Sequence, residues 1–347
     1  MKILITGCAG FIGFHLTKRL LAEGHTIVGI DNLNNYYSPA LKMARLHQIG
    51  IDASRTDYNS TNYIKNSEFT FIRANIESNE LYKNYLDHEH FDLICHLAAQ
   101  AGVRHSIDNP QQYISSNIQG FFNILEYCRR NPVQKLVFAS SSSVYGKNDR
   151  IPYSESDATE TPVSLYAATK KSNELFAHSY SGLFGINATG LRFFTVYGPW
   201  GRPDMAPFIF TKSILEDEPI KVFNRGNMSR DFTYIDDVVE GICQVLLNAP
   251  KTGKEENYRI YNVGCSAPVN LNHFIRTIER LSGKIARRID LPMQPGDVKA
   301  TWADISLLQC HYGYAPKTPI EKGLKEFINW YGEYYAENTT IKPGFAV

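Results

Sequence analysis

Tyr166-Ala167-Ala168-Thr169-Lys170 places a phenol and an ammonium four residues apart, and on a helix that spacing puts both on one face. A phenol ionises near pH ~10 and is a poor base at neutrality. A neighbouring ammonium favours the phenolate and brings it toward useful proton-abstraction chemistry. Such pairs also decorate ordinary helix surfaces, so the reading needs a partner group. Ser140-Ser141-Ser142-Ser143-Val144-Tyr145-Gly146 supplies one, since it directly follows the apolar run Leu136-Val137-Phe138-Ala139. Serines at the carboxyl end of a strand stand where open α/β sheets bind their ligands. Ser141 there can hydrogen-bond the substrate hydroxyl that Tyr166 deprotonates.

A second constellation points to a phosphate-bearing cofactor. Gly7-Cys8-Ala9-Gly10-Phe11-Ile12-Gly13 follows one apolar run and opens a helical pattern, with spacing G-x-x-G-x-x-G. Glycines there allow a tight turn, close approach of backbone to a pyrophosphate and close helix-sheet packing, while the helix N-terminus faces the anion. Asp31 ends the next apolar run, Ile27-Val28-Gly29-Ile30. An acid at that point accepts from a ribose 2′-hydroxyl and repels a 2′-phosphate, which selects NAD over NADP. His96-Leu97-Ala98-Ala99-Gln100-Ala101-Gly102 ends another run in small residues that leave room for a nicotinamide ribose.

The elements that must hold these groups follow from periodicity. Lys2–Thr6, Thr26–Asp31, Phe69–Arg73, Phe91–Leu97, Lys135–Ser140 and Asn187–Phe193 read as strands, and Phe11–Glu23, Ile114–Arg130 and Tyr166–Leu183 as amphipathic helices. Alternating strands and helices make right-handed β-α-β units, hence an α/β fold with a Rossmann-type doubly wound parallel sheet. Beyond Phe193 the pattern loosens into Tyr197-Gly198-Pro199-Trp200-Gly201-Arg202-Pro203 and later Leu291-Pro292-Met293-Gln294-Pro295-Gly296-Asp297, loops of a smaller α/β substrate domain at the C-terminal side. Arg259–Gly264 returns to the sheet. The expected division is therefore interleaved, 1–191 with 233–264 for the cofactor domain and 192–232 with 265–347 for the other.

With 347 residues the chain fits one large or two smaller domains and can bury a sizeable core. Lys and Arg number 36 against 35 Asp and Glu, a net charge of +1, which argues against nucleic acid and an anionic membrane surface as partners. The opening apolar run is broken by Gly7 and is too short for a signal-peptide core or a membrane span. The six cysteines form no C-x-x-C pair and several lie in apolar runs, as reduced core thiols of a cytoplasmic protein do. The ten histidines show no zinc-ligand spacing, so no metal is expected.

Taken in order, Gly7-x-x-Gly10-x-x-Gly13, Asp31, His96-Leu97-Ala98-Ala99, Ser141 before Val144-Tyr145-Gly146, Tyr166-x-x-x-Lys170, Arg230-Asp231-Phe232 and Pro295-Gly296-Asp297 span nearly the whole chain. This arrangement resembles the extended short-chain dehydrogenase/reductase family and, within it, the nucleotide-sugar epimerases. Gln100-Ala101-Gly102-Val103-Arg104 and Leu191 through Ala206 look more narrowly like the UDP-glucuronate 4-epimerases.

The resemblance implies that Tyr166 is the base, Lys170 its partner and a nicotinamide-ribose ligand, and Ser141 the hydroxyl-binding residue. It implies NAD contacts at Gly7, Gly10, Phe11, Ile12 and Gly13, at Asp31 and Asn32, at Asn75 and Ile76, and at Ala98 and Ala99. Arg230 and Asp297 would hold the UDP diphosphate and ribose and Arg104 would bind the substrate, while Ser142, Thr195 and Arg202 would bind a uronate carboxylate. Family dehydratases carry Asp-Glu after the equivalent of Ser141; Ser142 and Ser143 stand here, which disfavours dehydration. Asn75 departs from the family's usual aspartate near the adenine, although its carbonyl can still accept. The implied reaction is reversible C4 epimerisation of UDP-glucuronate to UDP-galacturonate through a bound 4-keto sugar, in a homodimer that supplies polysaccharide precursors. Three alternatives remain open at this level. One is a 4-epimerase of neutral or N-acetylated UDP-sugars, another a UDP-glucuronate decarboxylase, and the last a catalytically silent NAD-binding protein. Intact Ser141, Tyr166 and Lys170 argue against the last.

Overall fold

A computed structural model of the chain describes residues 1–55, 62–66, 68–252, 256–293 and 297–337. Strands β1 (Lys2–Thr6), β2 (Thr26–Asp31), β3 (Asn62–Asn66), β4 (Phe69–Arg73), β5 (Leu93–His96), β6 (Lys135–Ser141) and β7 (Ala188–Phe193) join Tyr258–Val263 in one eight-stranded sheet. Across the sheet the order is Tyr258–Val263, β7, β6, β5, β1, β2, β4, β3. All neighbours are parallel except β3, which pairs antiparallel with β4 at the edge. The chain leaves β1 toward β2 and β4, then returns to the other side of β1 with β5. That reversal makes the carboxyl ends of β1 and β5 the natural ligand crevice.

Alternation along β1 shows why the sheet is covered twice, because successive side chains point to opposite faces. Ile3 and Ile5 join one fully buried cluster with Leu16 and Leu20 of helix Phe11–Ala22 and Val238 and Ile242 of helix Ile235–Leu247. Leu4 points the other way, into a cluster with Phe121, Ile124 and Leu125 of helix Gly120–Arg130 and Ala177 of helix Leu165–Phe184. Each such side chain contributes about 1.5–3 kcal/mol by leaving water, so the strand ends are rigidly placed.

The 20-residue helix Leu165–Phe184 begins where Ser164 Oγ accepts from the Ala167 N–H at 3.1 Å, and ends at Gly185 with φ +68°. It carries Tyr166 and Lys170. The helix expected over Ile114–Arg130 is different in its first part: Ile114–Gln119 is wound as a π-helix before Gly120–Arg130 continues as α-helix. Beyond β7 lie helix Ala206–Leu215, helix Leu271–Ser282, helix Ile320–Glu337 and short strand pairs. Thr195–Tyr197 runs parallel to Phe232–Tyr234, Ile220–Phe223 parallel to Arg288–Leu291, and Ser229–Arg230 antiparallel to Val269–Asn270. Pro295 and Gly296 fall outside the described residues.

Candidate active site

The glycine loop closes the end of β1 on itself. Gly7, at φ +75°, donates its N–H to Ile30 O at 2.6 Å, and a β-carbon there would lie 2.8 Å from the Ala98 nitrogen. A side chain at Gly13 would overlap the Gly7 carbonyl. The N-cap of the following helix is Gly10, which offers no side-chain cap, so backbone N–H groups at Phe11 and Ile12 stay open to an anion. Asp31 caps the neighbouring strand, where Oδ2 accepts from Ala9 N–H at 3.2 Å and Oδ1 from Leu33 N–H at 2.9 Å. Each carboxylate oxygen keeps a lone pair for a ribose hydroxyl. Ala98 and Ala99 follow β5 half-buried, and Ala98 donates its N–H to Thr6 Oγ1 at 3.1 Å. A dinucleotide therefore fits: an open helix terminus, backbone closeness enforced at two glycines, and a carboxylate on the same sheet edge.

Asn32 and Asn75 meet each other, Asn32 Nδ2 donating to Asn75 Oδ1 at 2.9 Å. The Asn75 carbonyl, expected to be available for adenine, is thus partly occupied, with one lone pair left to accept. Ile76 is buried behind this pair.

At the end of β6, Ser141 Oγ accepts from Ser143 N–H at 3.1 Å and donates to Ser143 Oγ at 3.0 Å, opening the turn Ser142–Tyr145. The Tyr166 phenol is pushed up by burial, while its hydrogen bond with Ser141 and the charge of Arg202 pull it down. Lys170 is buried and donates to Ala139 O at 2.8 Å; burial brings its ammonium down to about 8. His96 is buried beside it and brought down to about 3, by burial first and the Lys170 charge second, so it is neutral.

Thr195 is half-buried two residues beyond Phe193, which pairs in register with Ser141. Arg104 Nη2 lies 3.7 Å from Asp297 Oδ2 and its guanidinium stands 5.4 Å from the Phe223 ring. Burial lowers Arg230, with Asp297 opposing that effect, so Arg104, Asp297 and Arg230 form one cluster, apart from the Ser141 group in the contacts described. Arg202 carries Asp204 on it, through Nε–Oδ1 at 3.0 Å and Nη2–Oδ2 at 2.5 Å. It is a paired cation.

Several positioning residues carried no sequence signal. Asn117, in the π-helical turn, accepts from Gln100 N–H at 2.8 Å and donates to Gln100 O and Thr169 Oγ1, both at 3.0 Å. It ties the segment after β5 to the Tyr166 helix; π-turns often mark such sites. Glu174, one turn beyond Lys170, takes Ser140 Oγ at 2.6 Å and Arg192 Nε and Nη2 at 2.8 and 2.9 Å. Arg45 is fully buried and donates to Ala9 O at 2.9 Å and Trp200 O at 2.7 Å, joining the glycine loop to the loop of Arg202.

Residues 3–264 match the NAD dependent epimerase/dehydratase family. The chain belongs to that family. Among its relatives, Protein CapI of Staphylococcus aureus is 49% identical over 96% of this chain and 99% of its own. UDP-glucuronate 4-epimerase 4 of Arabidopsis thaliana is 44% identical over 97% of this chain and 76% of its own. The crystal structure of UDP-glucuronic acid 4-epimerase from Bacillus cereus, in complex with UDP-glucuronic acid and NAD, is similar with a TM-score of 0.86. It is 36% identical over 96% of this chain and 100% of that one. This family's fold and its reliance on NAD agree with the glycine loop, Asp31 and the Tyr166-Lys170 pair.

Proposed function

We propose that this chain is an NAD-dependent UDP-glucuronate 4-epimerase, interconverting UDP-glucuronate and UDP-galacturonate. The observation that carries the reading is the helix face of Tyr166 and Lys170 set against the strand end that bears Ser141, with Lys170 Nζ donating to Ala139 O at 2.8 Å; the charge of Arg202 also acts on the phenol, as suits a sugar with a carboxylate next to the reacting carbon. The similarity to the Arabidopsis and Bacillus enzymes supports the same substrate.

The proposed cofactor contacts are Gly7, Gly10, Phe11, Ile12, Gly13, Asp31, Asn32, Asn75, Ile76, Ala98, Ala99, Tyr166 and Lys170. When bound, NAD would supply the acceptor for the hydride at C4 of the sugar and the donor for its return. Tyr166 accepts the proton of the C4 hydroxyl, which Ser141 orients, and gives it back after the sugar has turned over. Lys170 holds positive charge beneath the phenol and on the cofactor ribose. Arg230, Asp297 and Arg104 anchor the UDP portion, so the keto sugar stays captured and both half-reactions occur on one molecule. Ser142, Thr195 and Arg202 hold the carboxylate through charge-assisted bonds, roughly twice as strong as neutral ones. A C4 ketone makes that group a β-keto acid, and fixing it restrains loss of carbon dioxide.

The reading extends to the whole protein. The interleaved division 1–191 with 233–264 and 192–232 with 265–347 puts the cofactor residues in the first part and Thr195, Arg202, Arg230 and Asp297 in the second, while Arg104, Ser141 and Ser142 reach the sugar nucleotide from the first. A homodimer is supported by Phe122, Leu175, Leu183 and Phe184, exposed at 40, 55, 74 and 48% on two adjoining helices; an apolar face of that kind suits a second copy. Light scattering at micromolar concentration should give twice the chain mass. Among the described residues no helix is long and apolar enough to cross a membrane; a cytoplasmic location and a role in polysaccharide precursor supply complete the proposal. Incubation with UDP-glucuronate or UDP-glucose, followed by NMR, tests it. Galacturonate formation supports the assignment, whereas turnover of UDP-glucose alone, or UDP-xylose as main product, sinks it.

A further inference from the structure

Arg202 does not stand alone, and the group that holds it has no role in the scheme above. Asp204 takes the side edge of its guanidinium with Nε at 3.0 Å and Nη2 at 2.5 Å. Tyr36, contributed by the segment after β2, donates its hydroxyl to Asp204 Oδ2 at 2.9 Å and stands its ring 5.8 Å from the Arg202 guanidinium. The Tyr36 ring is 4.7 Å from His105, His105 is 6.1 Å from Tyr113, and Tyr113 meets Tyr166 edge-on at 6.2 Å. This clamp and the base are therefore joined by a chain of tilted and edge-on ring contacts.

A guanidinium has five N–H donors. Two are committed to Asp204, which leaves the end edge formed by Nη1 and the second hydrogen of Nη2. A substrate carboxylate is repelled from the side edge by the Asp204 charge and is directed to the end edge, whose nitrogens make no other hydrogen bond by distance and angle among the described residues, although the Tyr36 hydroxyl also acts on the guanidinium. We propose that Asp204, fixed by Tyr36, is the positioning residue that sets uronate specificity, by turning Arg202 so that one edge alone meets the substrate carboxylate. This rests on the functional reading above and names the device behind it.

The consequence is chemical as well as steric. In the 4-keto uronate, decarboxylation breaks the C5–C6 bond. Its electron pair passes into the C4 carbonyl system as an enolate, carbon dioxide departs, and C5 takes a proton to give a 4-keto pentose. That step needs the C5–C6 bond aligned with the carbonyl π system. A carboxylate pinned at one guanidinium edge holds the bond out of line; a guanidinium free to rotate does not.

Asp204→Asn keeps the shape but removes the charge and one acceptor oxygen, and Tyr36→Phe removes the hydroxyl that fixes Asp204. For Asp204→Asn the KM for UDP-glucuronate should rise about tenfold or more, the effect of a misdirected charge-assisted bond, with kcat changing much less. UDP-pentose or its 4-keto form should appear by NMR. Tyr36→Phe should shift both readouts the same way by a smaller factor. Bound NAD and the melting temperature report folding, and if Asp204→Asn does not fold, Tyr36→Phe decides. Folded variants with the unaltered chain's KM and no pentose overturn the clamp. An unaltered chain that turns over no uronate removes the functional reading itself, so the two failures are distinguishable.

Discussion

Replacing Glu174 by Gln tests how the site-bearing elements are held. The Glu174 side chain is 2% exposed and its partner Arg192 4%. Three charge-assisted or short bonds converge on it, from Ser140 at 2.6 Å and Arg192 at 2.8 and 2.9 Å, with Lys171 Nζ at 3.6 Å. In the variant, Arg192 keeps the Tyr145 hydroxyl at 3.0 Å and the Tyr145 ring at 4.8 Å, but no anion. Stripping one partner from a buried ion pair costs about 3–5 kcal/mol, because the remaining charge stays desolvated. Urea denaturation should therefore show a loss of that size. Glu174→Leu with Arg192→Met should recover much of it, since a well-packed apolar pair avoids the stranded charge. Activity should fall too, because Ser140 adjoins Ser141 and Glu174 follows Lys170 by one turn. A displacement of these groups by a fraction of an ångström lowers kcat by about tenfold or more. A loss below about 1 kcal/mol in Glu174→Gln, or a double variant as unstable as the single one, would refute the reasoning.

Two further outcomes follow from the cofactor side. Gly13→Ala drives a methyl into the Gly7 carbonyl and should weaken NAD binding by at least about tenfold, read by calorimetry on cofactor-stripped protein. Lys170, brought down to about 8 by burial, loses its charge as pH rises through that value. NAD affinity of the stripped chain should fall about tenfold from pH ~7 to ~9, and Lys170→Met should flatten that dependence.

The sheet was legible because its strands are continuous apolar runs ending in residues of distinctive type. Lys2–Thr6, Thr26–Asp31 and Phe69–Arg73 lie where periodicity places them, and Ala188–Phe193 begins one residue late. Asn62–Asn66 escaped because Asn62-Tyr63-Ile64-Lys65-Asn66 is short and polar at both ends, an edge strand fixed by pairing with β4. The π-turn at Ile114–Gln119 escaped because its apolar spacing reads as ordinary helix, and only Asn117's bonds to Gln100 and Thr169 give its winding a purpose. Tyr166 and Lys170 share the helix, and Ser141 the strand end, on which sequence places them, because those relations lie in local spacing. Asp204 with Tyr36, Arg45 with Trp200, and Glu174 with Arg192 were not legible. Each joins segments far apart in sequence, and no spacing rule carries such a contact.

The central claim is oxidation and re-reduction at C4 on one captured sugar. It is tested most directly by incubating the holoenzyme with UDP-glucuronate in deuterated water and reading C4 and C5 of the product by NMR. The product should be UDP-galacturonate that keeps protium at both carbons, because the C4 hydride is returned from within the site and C5 never loses its proton. Deuterium at either carbon, or conversion with no galacturonate formed, would contradict it.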